Sequence, residues 1–228
     1  MVTLGSCAMY AQAPGNGHDP VYGFDPLLYN GRVYYFYPHP GTKGSQYLFE
    51  QFDTLASVSV RGVVYSQSAI NYDILNQQFV LKFKNTLGSW SLIEISDAWL
   101  DWVTIYGCRF ERMEGATGGK RIYQVLGSGK EKILYYYFNE LLIDNQLGAQ
   151  ARYFSAPHKE MYFQVNNQLI PIHNNRNFIH AVNPARQSML KTYLRQNKIK
   201  IRKANDMIIY DFLVHDKNYK QLIINNMC

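Results

Sequence analysis

With 228 residues, 47% of them apolar and 15% aromatic, the chain has enough hydrophobic material for a packed core without disulfide or metal staples. No apolar run approaches the roughly 20 residues that a bilayer-crossing helix requires, which excludes a helical transmembrane protein. The formal net charge is +6, and the 19 tyrosines, with apolar rings and polar tips, suit strands that keep one face wet.

In chain order, residues 1–13 are uncharged and rich in small and apolar side chains, and they end on Ala11, Gln12 and Ala13, which have the small-x-small form of a signal-peptidase site. The stretch reads as a truncated secretory signal peptide, since its charged leading region is missing. Leu4, Gly5, Ser6 and Cys7 are similar to a bacterial lipobox, which makes Cys7 a candidate for lipidation. Cys108 and Cys228 add neither a disulfide framework nor a zinc-site spacing.

Residues 14–228 read as a single β-rich domain. After a Gly- and Pro-rich loop, Arg32–Tyr37 has strand character, and Ala56, Val58 and Val60 alternate with serines as in a half-buried strand. Gly62 permits a tight bend into a hairpin over residues 61–83. In that hairpin Val64, Ile70 and Tyr72 share one parity, Phe79, Leu81 and Phe83 line the second arm, and Asp73 and Asn76 supply the turn. Strands follow at Ser89–Ile95 and Trp99–Phe110, where Gly107 marks a bulge. A second hairpin spans residues 121–138 with its turn at Gly127–Gly129, and a third runs from Glu160 to Ile172 through Asn166 and Asn167. Pro171 cannot donate to a ladder, so the last strand belongs at a sheet edge.

At Asn183 and Pro184 the period changes to that of a helix, with Asn183 as N-cap and Met189, Leu190, Tyr193 and Leu194 on one face. A second helix is expected to begin after Asn205, giving a helical segment over 184–216. The predicted fold class is therefore α+β, predominantly β: an antiparallel meander, which could curl into a partly open barrel, followed by two C-terminal helices.

Four landmarks in this order, Tyr47–Phe49, Asn71–Asp73, Tyr123–Gly129 and Asn197–Ile201, resemble a family of exported Bacteroidota proteins whose activity is uncharacterised. The resemblance implies export in a Gram-negative cell, to the periplasm or the outer membrane, and offers no established activity; no cofactor or metal is expected.

Chemistry-bearing patterns are sparse. The six histidines show no HExxH spacing, there is no GxSxG elbow, and Gly127–Lys130 lacks phosphate-loop spacing. Asp97 and Asp101 flank Trp99 and Trp102, a combination that could stack sugar rings and bond their hydroxyls, or equally serve a turn and a core. Residues 184–228 carry nine basic and three acidic side chains, which accounts for the whole net charge. Within them Arg195, Lys198, Lys200, Arg202 and Lys203, interleaved with Ile199 and Ile201, are candidates for contact with an anionic envelope surface or an acidic glycan. Export disfavours nucleic acid as the partner. The leading expectation is a non-enzymatic exported binding or structural module; a carrier of a lipid or hydrophobic ligand in a half-open barrel, or a glycan-binding protein or hydrolase, are the alternatives.

Overall fold

The computed structural model describes residues 18–19, 23–116, 118–127, 129–144 and 151–204. A short ribbon of β1 (His18–Asp19) and β2 (Gly23–Phe24) and one helical turn, α1 (Pro26–Tyr29), precede the main sheet. The strands that follow are β3 (Asp53–Val60), β4 (Val63–Asp73), β5 (Gln78–Lys84), β6 (Trp90–Glu94), β7 (Leu100–Ile105), β8 (Cys108–Glu114), β9 (Lys120–Leu126) and β10 (Glu131–Phe138). A side hairpin, β11 (Leu141–Asp144) and β12 (Ala151–Phe154), interrupts the run before β13 (His158–Val165) and β14 (Gln168–Pro171). Helices α2 (Asn175–Ala181) and α3 (Pro184–Gln196) and a 3-10 turn at Ile201–Lys203 complete the described chain.

Ten strands form one antiparallel sheet in the order β14-β13-β10-β9-β8-β7-β3-β4-β5-β6. The chain starts in the middle at β3, meanders out to β6, returns to the other side of β3 at β7, and meanders out again to β14. Pro171 lies in the edge strand, as its missing N–H requires.

The sheet curls without closing. Phe79 of β5 and Phe110 of β8 lie four strand positions apart, roughly 19 Å in a flat sheet. Their ring centroids are nevertheless 6.0 Å apart, and Tyr72 on β4 is 5.6 Å from the same Phe110. The hollow is filled by the strands' own side chains: Val58, Ile70, Tyr72, Phe79, Val103, Ile105 and Phe110 are all 0% exposed and form one cluster. Farther along the same face the sheet opens, and Ile133, Tyr135, Met161 and Phe163 are covered instead by Phe178 and Val182 of the α2 segment and by Leu190 and Leu194 of α3. The apolar stripe of α3 is narrow, so its stability comes from this packing and from its caps. The Asn183 side chain accepts from Ala185 N, with Pro184 at the first position. At the other end Lys198 takes positive φ, and Ile199 N closes back onto Leu194 O.

Several details depart from the sequence reading. The inner-face parity of β4 changes partway: Tyr65 and Ile70 both point inward although they stand five positions apart, an odd offset. The switch is a bulge where Ala56 pairs with Ser68 but Val58 pairs with Tyr65, and Gln67 takes positive φ (56°). Val64 is therefore displaced from the inner face by its neighbour. Tyr106 and Gly107 form a two-residue hairpin turn, not a bulge, because both have positive φ and the right-handed twist of the flanking strands favours such a turn. Arg32–Tyr37 is not a regular strand; Val33 makes a single bridge to Ile93. The β11–β12 hairpin and α2 were not expected from the sequence, each being too short to show a period. The expected leader at 1–13, Cys7 and the helix after Asn205 lie outside the described residues.

Candidate functional site

The basic side chains are carried by the helical layer over β10, β13 and β14. Between Met161 and Asn205 the sequence holds eight Arg and Lys residues and no Asp or Glu. Only Arg186 among the eight has an assigned salt bridge within the described residues, 2.7 Å to Glu131, which ties α3 to the start of β10.

Local structure sets out the others. Along Lys198–Lys203 the isoleucines turn inward, with Ile201 4% exposed, and Lys198, Lys200, Arg202 and Lys203 stand in solvent. The Asn175 side chain holds that strip against α2: its amide donates to Ile199 O at 2.7 Å and its oxygen accepts from Ile201 N at 2.8 Å. Asn174 caps α2 by accepting from Asn177 N. The result is a depression of about 740 Å³ whose rim includes His173, Arg176, Lys200, Arg202 and Lys203. Arg195, in the last turn of α3, is exposed and complements the helix dipole. His173 and Arg176 were not among the sequence candidates. Their signal was the acid-free interval, which begins well before Pro184.

None of the ten large apolar side chains exposed among the described residues belongs to residues 155–204. The face is thus charged without apolar anchors, and any attraction it exerts on an anionic surface is electrostatic and open to salt screening.

The other candidate set has a different geometry. The Arg61 guanidinium lies 4.0 Å over the Trp99 ring and that of Arg109 lies 4.6 Å over Trp102, so each indole has a face covered. Trp99 also packs against the main core cluster. Asp101 is the extra residue of a bulge between β3 and β7; it accepts from Ser59 Oγ at 2.8 Å and Gly62 N at 2.7 Å, closing the β3–β4 turn. Asp97 pairs with Arg112. Each carboxylate is thus committed to a structural partner.

Among the described residues no group of three or more His, Cys, Asp or Glu side chains is arranged to hold a metal ion, and no helix is long and apolar enough to cross a membrane. Cys108 is half-buried and not in a disulfide. No family model, curated protein or solved structure matches the chain.

Proposed function

We propose that this protein is an exported, non-catalytic β-rich module that docks on an anionic surface of the cell envelope, of the kind presented by acidic lipid headgroups, through its basic helical layer. The observation that carries the reading is the acid-free interval from Met161 to Asn205, folded so that Lys198, Lys200, Arg202 and Lys203 face solvent beside Arg176. Basic side chains near an acidic membrane contribute roughly 1 kcal/mol each, so four or five suffice for reversible association. Export is supported by the small-residue pattern before Pro14 and by the resemblance of the motif order to that of exported Bacteroidota proteins. A binding role is supported by Asp97 and Asp101 being occupied structurally. The carrier alternative has less support, since the curled strands fill their own hollow.

Sedimentation with vesicles tests the proposal. The protein should pellet with phosphatidylglycerol-containing vesicles and stay in the supernatant with pure phosphatidylcholine. The combined Lys200→Gln, Arg202→Gln and Lys203→Gln protein should lose at least tenfold in partitioning, as three contributions of roughly 1 kcal/mol imply. Equal binding to neutral vesicles, or an unaffected triple variant, would remove the reading.

A further inference from the structure

A second, chemically different surface lies away from the helical layer. The chain before β3 runs alongside β6 and β4: Tyr34 N donates to Leu92 O, Glu94 N donates to Arg32 O, and Leu48 N donates to Tyr72 O. Between this segment and the strands runs a groove of about 580 Å³ lined chiefly by Tyr37, Tyr47, Phe52, Lys82, Trp90 and Leu92. Tyr37 and Trp90 are 68% and 61% exposed. Isolated exposed aromatics are unremarkable, but two flanking one groove, with a lysine between rings, are not a random scatter.

Lys82 and Trp90 are on the outer face because Lys82 pairs with Leu92, and Lys84 with Trp90, across the β5–β6 ladder. The Lys82 ammonium sits 4.7 Å from the Trp90 centroid and 5.9 Å from that of Phe52, and Lys84 reaches the Trp90 ring at 5.4 Å. Neither lysine has a carboxylate partner among the described residues, and Glu94 of β6 is taken by Arg32 at 3.3 Å. The groove therefore combines flat aromatic faces with cations held by rings and left free to meet an anion.

We propose that this groove binds an acidic saccharide, with sugar rings stacking on Trp90 and Tyr37 and a carboxylate meeting Lys82. A sugar ring has an apolar C–H face to lay on an indole while its hydroxyls stay in water, which suits rings that are more than half exposed. A neutral apolar ligand would leave the ammonium unmatched and desolvated. A peptide adding a strand to β6 would find Leu92 O and Glu94 N already bonded to the segment before β3.

The test is calorimetric titration of the full chain with a galacturonic acid oligomer and with a neutral glucose oligomer of equal length. Saturable binding of the acidic oligomer is expected, with at least a tenfold preference over the neutral one. Trp90→Ala and Lys82→Gln should each weaken it about tenfold or more, the size of one good stacking or charge contact, while Lys200→Gln with Lys203→Gln should leave it unchanged. Both groove positions are solvent-accessible, and unchanged circular dichroism would show that the variants fold. Absence of saturable binding, equal affinity for both oligomers, or loss in the helical-layer variant with the groove variants unaffected would each overturn the proposal, the last by showing non-specific polyanion attraction. Light scattering should give the same mass for wild type and Trp90→Ala; a dimer dissociated by the substitution would instead assign the groove to a second copy of the chain.

Discussion

Asp73 is 0% exposed, and the burial of its carboxyl group is tolerable because four donors surround it. Tyr34 Oη and Asn76 Nδ2 donate to one oxygen at 2.6 and 2.8 Å; Leu75 N and Asn76 N donate to the other at 3.0 and 2.9 Å. Asp73→Ala strands these donors and should cost at least about 3 kcal/mol, whereas Tyr34→Phe removes one bond and should cost about 1–2 kcal/mol. Urea denaturation of the two variants checks this, and equal losses would contradict it. Asp73 as a turn former was legible from its place between two strands. Its bond to Tyr34 was not, because the partner lies 39 residues away. Burial first, and a neighbouring carboxylate second, also raises the phenols of Tyr34, Tyr65 and Tyr162, with Asp73, Asp25 and Glu160 as the respective partners. Tyr72 is raised by burial in the core. A raised folded pKa means that the native state holds the proton more tightly than the unfolded chain. The stabilisation is therefore fully present below the unfolded value of about 10 and is lost as pH rises above it. In an absorbance titration the buried group should ionise only together with loss of near-ultraviolet dichroism; smooth ionisation of all 19 tyrosines in a still-folded protein would contradict this.

Among the elements, hairpins were the most legible because alternation and turn residues agree locally, as at Asp73–Gln78 and Asn166–Asn167. What escaped was the bulge in β4, where Gln67 adopts a conformation that its sequence neighbours do not announce. At φ 56° a glycine should be accommodated more easily and a β-branched residue less so. Gln67→Gly is expected to hold or raise stability by up to about 1 kcal/mol and Gln67→Val to lower it by about 1–2 kcal/mol. A Gln67→Val protein with an unchanged urea midpoint would mean that the strand can run through without the bulge. The consequence of that bulge is architectural, since it carries Tyr65 and Ile70 onto the same inner face and sharpens the twist that lets β5 meet β8.

For the whole molecule, the meander, its capacity to curl and the helix after Asn183 were readable, but which strands the curl brings together was not, because strand order and contacts such as Phe79–Phe110 are long-range. The candidate site was legible in part: Lys198–Lys203 stood out by charge, and their alternation with Ile199 and Ile201 already placed them outward. The contribution of His173 and Arg176 depends on Asn175 joining α2 to the later strip, a tertiary event. Trp99 and Trp102 drew attention by residue type, while Trp90, paired across the ladder with Lys84, required the register. The proposed docking through the helical layer is electrostatic, without apolar anchors, so association must follow ionic strength. The most direct measurement is the partition coefficient onto phosphatidylglycerol-containing vesicles as salt rises from about 0.1 M to about 1 M, where the screening length falls from about 10 Å to about 3 Å. A steep fall is expected for the wild-type chain and a shallower one for the Lys200→Gln, Arg202→Gln, Lys203→Gln protein; partitioning that is insensitive to salt in both would rule out electrostatic docking.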